Sequence, residues 1–252
     1  MYTIQVFKVG ESGVPGPEVY YQGAFGKWFT LNFYIWLVRG EGRTILVDTG
    51  MPLDAAELES RVKREKGPEA FWRTNPEGDP VRLLASAGVQ PEQVEHVILS
   101  SLGPYAAANV HKFPRALFHL SKAGWLEYLA PQYPEIRHKI PDEAMAYLTT
   151  TGLDRVRQVD GETEIVPGIR AFQAGCHHRH SMAIAIETAK GTAIIADPIF
   201  YYDNVEKEIP VGILENLFEC LDLIKRMKRE AAILLPSHDP AVLVRHPGGR
   251  IP

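Results

Sequence analysis

Apolar runs of strand length fall at both ends of this chain, and a helix-rich stretch separates them. At the start stand "YTIQVFKVG" (2–10), the aromatic run "WFTLNFYIWLV" (28–38) and, after the turn "RGEG", the buried strand "RTILVDTG" (43–50). "VEHVILSS" (94–101) and "RALFHLS" (115–121) are further strands. "GIRAFQAG" (168–175), "SMAIAIET" (181–188), "GTAIIADPIF" (191–200) and "AAILLPSHDP" (231–240) close the set, with "AKG" (189–191) as a hairpin turn. Helices are expected at 52–65, at 81–88 after the start signal Asp79-Pro80, at 122–130, at 142–152 and, with the clearest helical spacing, at 213–230. "TNPEGDP" (74–80) reads as loop and "HPGGRIP" (246–252) as an extended tail. Strands, helices, strands, one helix and a last strand fit an α/β fold of four layers, two sheets flanked by helices. In such a fold, polar residues at strand ends and in the following loops line the ligand groove.

The 252 residues are enough for one large core, and a single domain over 1–252 is expected. A formal charge of −4 gives no electrostatic case for nucleic acid or an anionic membrane. No signal peptide and no bilayer-length apolar run is visible. Two cysteines, Cys176 and Cys220, are too few for a disulfide framework, so free thiols and a cytoplasmic protein are expected. A small-molecule ligand or substrate is the expected partner, and a homodimer is left open.

Five segments together carry a resemblance. "ILVDTGMP" (45–52), "VEHVILSSLGPYAAANVHKFP" (94–114), "AGCHHRHSMAIAIET" (174–188), "AIIADPIF" (193–200) and "ILLPSHDP" (233–240) resemble the metallo-β-lactamase superfamily, in its order and at about its spacing. Within it they look most like the N-acyl homoserine lactonase branch. The resemblance implies the four-layer αββα sandwich with two mixed sheets. It also implies two zinc ions held by His-x-His-x-Asp-His, a later Gly-His, a bridging Asp and a last His.

Laid on that pattern, residues 101–106 depart from it. Ser101 and Gly103 stand for the first two histidines, Tyr105 for the aspartate and Ala106 for the third histidine. Gly175-Cys176 replaces Gly-His, Asp197 falls on the bridging acid and His238 on the last histidine, while Asp48 keeps the acid of the "VDTG" strand. Gly and Ala have no side-chain donor, and a neutral phenol is a poor zinc ligand, so an ordinary di-zinc hydrolase is not expected.

Three readings stay open. In the leading one, a lactonase-like hydrolase opens a small lactone, ester or amide at a reduced site. Cys176, Asp197 and His238, with His178 as a candidate fourth ligand, would hold at most one zinc or iron ion, and Tyr105 or Ser101 would orient the substrate. No metal at all is weighed equally. In the second reading, Cys176, His238 and Asp197 form a metal-free nucleophile, base and orienting acid; Ser101 as nucleophile lacks a G-x-S-x-G elbow. In the third, the fold binds a small molecule without turning it over. Tyr201, Tyr202, Phe200 and His180 are the candidate ligand contacts, and "GAFGKWF" (23–29) a candidate pocket mouth by resemblance.

Other polar residues read as structural. Asp48 is expected to be a hydrogen-bonded acid, His119 a satisfied sheet histidine, His96 a surface residue and Cys220 a small buried hydrophobe on the 213–230 helix.

Overall fold

The computed structural model describes residues 1–134 and 141–252. Thirteen strands are assigned among them: β1 (Tyr2–Pro15), β2 (Trp28–Gly40), β3 (Arg43–Val47), β4 (Phe71–Thr74), β5 (His96–Ile98), β6 (Leu117–Ser121), β7 (Val156–Val159), β8 (Glu162–Val166), β9 (Ile169–Gln173), β10 (Met182–Thr188), β11 (Gly191–Ala196), β12 (Ile233–Pro236) and β13 (Arg250–Ile251). Their pairing runs β12-β11-β10-β1-β2-β3-β5-β6-β7. β1 meets β10 through one residue pair, Tyr2 with Thr188, so the path folds back there and two mixed sheets face each other.

Three apolar layers follow from that folding. Ile4, Trp36, Val38 and Ile45 from one sheet pack with Ile169, Ile184, Ile186 and Ile195 from the other. Outside the first sheet, Phe33, Leu46 and Phe118 meet Leu84, Trp125, Met145 and Leu148 of the helices. Outside the second, Ala183, Ile194 and Ala196 meet Leu223, Ile224 and Met227. Helix, sheet, sheet, helix is the αββα order expected from the sequence.

Local chemistry sets the element ends. Asp79 accepts the amide of Val81 at 2.8 Å and Pro80 opens the helix Pro80–Ser86. The long amphipathic helix begins at Leu217, not at 213, because the Asn216 side chain accepts the amides of Phe218 (3.0 Å) and Glu219 (3.3 Å) and caps it there. β1 runs five residues past its expected end, through Gly10 and Gly13, since β2 offers it a partner along its whole length. On its other edge it takes β4, a strand outside the elements expected from the sequence, whose last residue Thr74 begins the expected loop. A Cβ on Gly10 would collide with Met51 and with the Arg73 carbonyl, so this glycine permits close approach of β4 and makes no turn. A short helix, Ala241–Arg245, precedes the tail, which itself holds a tight turn, Pro247–Gly249, and β13. Among the described residues no helix is long and apolar enough to cross a membrane.

The expectation of free thiols is corrected: Cys176 and Cys220 form a disulfide, with Cα atoms 4.7 Å apart. His96 is also not a surface residue. It is half-buried, with its Nδ1 2.9 Å from Nε2 of His119 on the neighbouring strand.

Candidate functional site

The site forms where the ends of β3, β5, β10, β11 and β12 meet. Beyond β3, Asp48 takes a left-handed backbone (φ +61°), which an Asp tolerates. Its Oδ1 accepts the amide of Ser100 at 2.7 Å and its Oδ2 the Ser100 hydroxyl at 2.6 Å, joining the ends of β3 and β5. The Thr49 hydroxyl donates to the Ala106 carbonyl, and Asn109 Nδ2 to the carbonyls of Thr49 and Met51. Those bonds fix the segment 101–109, in which Pro104 opens a single helical turn, Pro104–Ala107.

Tyr105 and Asp197 dominate the floor. The phenol donates to Asp197 Oδ1 at 2.7 Å, and the phenol oxygen lies 2.9 Å from Ser101 Oγ. Ser181, which just precedes β10, donates its hydroxyl to Asp197 Oδ2. Asp197 is wholly buried, and burial pushes its carboxyl up to about 6 against the help of both hydroxyls. Burial, with the charge of Asp197 beside it, holds the Tyr105 phenol well above its usual range, so it stays a neutral donor.

His238, just past β12, is held through its backbone and its ring. Its carbonyl accepts the amide of Asn32, and its Nδ1 donates to the Asn32 carbonyl at 3.2 Å. That leaves Nε2 as the basic nitrogen, 4.0 Å from Asp197 Oδ1. Phe33, Phe200 and Tyr105 surround the ring edge-on, and burial lowers its pKa to about 4, so the imidazole is neutral at pH 7.

His180 Nδ1 accepts the Leu102 amide at 3.3 Å and lies 3.2 Å from Ser101 Oγ. A nitrogen already taken by a backbone donor is a poor base for Ser101. Ser101 itself has no exposure and does not line the cavity, which leaves it a structural hydroxyl. His177 donates Nδ1 to the Ile213 carbonyl at 2.6 Å and is kept neutral by burial.

A cavity of about 280 Å³ opens over this floor. Gly103, Tyr105, His177, His178, His180 and His238 line it on one side, Leu31, Phe33, Phe200 and Ile213 form apolar wall, and Trp72, Arg61, Glu18 and Lys66 complete it. Of the expected ligand contacts, Phe200 and His180 line the cavity. Tyr201 instead donates to the Thr30 carbonyl at 2.6 Å, and Tyr202 packs beneath Arg245, its ring centroid 3.6 Å from the guanidinium carbon. "GAFGKWF" does not reach the cavity either; Phe29 packs on Tyr20 and Tyr201.

Cys176 is displaced from the expected chemistry. Its amide donates to Glu219 Oε2 at 2.8 Å, its carbonyl accepts the amides of Glu215 and Asn216, and its sulfur is bonded to Cys220. A disulfide sulfur supplies neither a thiolate ligand nor a thiolate nucleophile. Ser181, Asn32, Trp72 and Arg61 were not singled out from sequence, although Asn32 is a polar residue inside an apolar strand and so carried a readable signal.

A profile described as the metallo-beta-lactamase superfamily matches residues 32–100, which take in most of β2, then β3, the Asp48 turn, β4 and β5. Over that stretch the chain is similar to the metallo-β-lactamase superfamily. An N-acyl homoserine lactonase from Bacillus cereus is 28% identical over 220 residues, covering 83% of this chain and 82% of that one. One from a Bacillus species is 26% identical over 224 residues, covering 85% and 84%. Among solved structures, an N-acyl homoserine lactone hydrolase with the product N-hexanoyl-L-homoserine at its catalytic metal centre shares the fold at a TM-score of 0.79 and 21% identity, over 96% of this chain and 95% of that one. A di-zinc quorum-quenching lactonase with product bound aligns at 0.70 and 16%, over 99% and 89%. The chain is thus lactonase-like in sequence and fold.

The side chains at this site do not suit the zinc that metallo-β-lactamase superfamily members usually bind. Among the described residues no group of three His, Cys, Asp or Glu side chains converges as metal ligands. Both oxygens of Asp197 already accept hydroxyl protons, Cys176 is oxidised, and Gly103 and Ala106 offer no side-chain donor. His178 stands beside Glu215, with Nδ1 3.7 Å from Oε1.

Asp48 gives a first expected result. Burial pushes its carboxyl up to about 8, so between its ordinary 3.8 and that value the folded chain keeps a proton the unfolded chain has lost. The resulting stabilisation is complete below 3.8 and lost as pH rises through 8. Asp197 acts in the same sense but only up to about 6. His238 and His119, lowered to about 4 and about 3, act oppositely and are spent by 6.5. Stability to urea should therefore decline from pH 6.5 to pH 8, a window set by these groups. Asp48→Asn, which can accept the Ser100 amide and donate to its hydroxyl, should flatten that decline. Parallel slopes for the two proteins would count against this role of Asp48.

Proposed function

We propose that this chain binds a small acyl compound, of the lactone or acyl-amino-acid class, in the cavity of a lactonase-like fold, and that a hydroxyl-bonded carboxylate stands where related enzymes hold metal. One observation carries the reading: each oxygen of buried Asp197 is taken by a hydroxyl proton, from Tyr105 and from Ser181. Hydroxyl donors satisfy a buried carboxylate without a metal ion, and they fix its orientation. His238 Nε2, on a neutral ring and given no donor among the described residues, can accept an amide N–H from a ligand. The apolar wall of Phe33, Phe200, Leu31 and Ile213 suits an acyl tail.

Hydrolysis at a reduced metal site, the leading sequence reading, loses support with Cys176. Asp197, His238 and the candidate His178 remain, but both Asp197 oxygens accept hydroxyl protons and His178 Nδ1 stands 3.7 Å from Glu215 Oε1, short of the three free protein ligands of a catalytic zinc site. The metal-free Cys-dependent reading falls on the same disulfide.

The test is metal content by elemental analysis on protein purified without a metal-affinity tag, together with calorimetric binding of an N-acyl homoserine lactone. We expect sub-stoichiometric zinc, iron and manganese, binding that EDTA leaves unchanged, and no turnover. One equivalent of metal, lost in Asp197→Ala or His238→Ala, would overturn the reading.

A further inference from the structure

The cavity has a charged side that neither the floor nor the fold accounts for. Arg61 lies on the helix Ala56–Lys66 and lines the cavity, yet among the described residues it makes no ion pair, and its buried Nε has no hydrogen-bond partner. The other charges nearby differ: Lys66 and Glu18 are bonded to each other, and Glu65, one turn further on and also lining the cavity, has an interaction of its own. Trp72, on β4, lines the same cavity, and its buried indole N–H also lacks an acceptor. A desolvated donor without an acceptor is a standing cost in the folded protein, and a ligand that supplies the acceptor relieves it. Two such donors, one of them cationic, border one cavity.

The aromatic side chains give the direction. Trp72 stacks on Phe33 with ring centres 4.8 Å apart, and Phe33 stacks on Tyr105 at 5.2 Å with planes 8° apart. Three rings thus connect the Arg61 side of the cavity to the floor. An anion placed at the floor would approach the Asp197 carboxylate, which has hydroxyl partners and, among the described residues, no cation paired with it. At the other side it would meet a guanidinium that makes no ion pair among the described residues and whose buried Nε lacks an acceptor.

We propose that the cavity selects an anionic acyl compound, a small carboxylate with an apolar tail, and that Arg61 and the Trp72 indole N–H bind its carboxylate while the tail lies along the Phe33 stack. This rests on the small-molecule reading above and adds the charge state of the ligand. For an acyl homoserine it means the ring-opened carboxylate and not the neutral lactone. Arg is suited to the task because its planar fork matches both carboxylate oxygens.

The test is isothermal titration of the full chain with a matched pair, N-hexanoyl-homoserine and N-hexanoyl-homoserine lactone. The carboxylate should bind at least about tenfold more tightly, the size of one charge-assisted contact, and should weaken more with added salt. Arg61→Gln should bring the two affinities together, Arg61→Lys should restore part of the difference, and Trp72→Phe, which keeps the ring stack, should weaken the carboxylate several-fold. Unchanged melting temperatures would show that these surface and wall variants fold. Equal affinities in the wild type, or a preference that survives Arg61→Gln, would overturn the charge assignment and leave the small-molecule reading standing. Binding of neither compound would overturn both.

Discussion

Reduction of the Cys176–Cys220 bond is expected to cost the protein about 2–4 kcal/mol of stability, the usual range for one disulfide. The bond closes a loop of 44 residues, so the unfolded chain gains much freedom when it is cut. Its native position adds a local reason. Cys176 has a left-handed backbone (φ +63°) next to Gly175 (φ +55°), in the loop that presents His177, His178 and His180 to the cavity. Two backbone bonds from Glu215 and Asn216 and one to Glu219 tie that loop to the helix Leu217–Glu230, and the disulfide is the covalent member of the set. Urea unfolding with and without dithiothreitol should separate the wild type by that amount. Cys220→Ala, which cannot form the bond, should be less stable from the outset and insensitive to the reductant. Because both sulfurs are buried, the wild type should be reduced only after partial opening, so the comparison needs prior incubation in denaturant. Coincident curves for the oxidised and reduced wild type would refute a stabilising bond.

Much of the frame was legible because its signals are local. β10 and β11 each read as strands, and the turn between them ends at Gly191, whose φ of +102° no other residue adopts easily. Polar residues closing apolar runs marked Asp48, Asp197 and His238 as strand-end groups, and the resemblance set them in order. β4 and the second half of β1 were less legible, because Gly10 and Gly13 suggest a turn when the chain is read alone. Their glycines are explained only by the strand that packs against them. The same limit applied to the site. Tyr105 was recognised as a lost ligand, but its bond to Asp197 spans 92 positions, and Ser181 acquires meaning only as the second donor to that carboxylate. The disulfide had no local mark at all: two cysteines in a chain set no pattern, and the pairing depends on how the loop after β9 meets a helix.

Tyr105→Phe should destabilise the protein by about 2–3 kcal/mol at neutral pH, the cost of leaving a buried charged acceptor short of one hydrogen bond. The substitution keeps the ring, so the stack on Phe33 and the edge contact with His238 persist and the loss isolates the hydroxyl. Asp197 Oδ1 would lose the one hydroxyl donor it has among the described residues, and Ser101 Oγ a neighbour at 2.9 Å. The pH dependence follows from the sign of the Tyr105 contribution, which lowers the Asp197 pKa. Without it the carboxyl should titrate above its present value of about 6, so the variant should take up a proton on folding over a wider range. Its deficit relative to wild type should therefore be smaller at pH 5, where Asp197 is protonated in both proteins, and larger at pH 7.5. Ser181→Ala removes the donor to the other oxygen and should show the same trend. The double variant should lose less than the two singles added, because a carboxylate stripped of one donor is already partly protonated and has less to lose from the second. A Tyr105→Phe protein as stable as wild type at pH 7.5 would mean that this hydroxyl does not hold the carboxylate, and the proposed replacement of metal by hydroxyls would go with it.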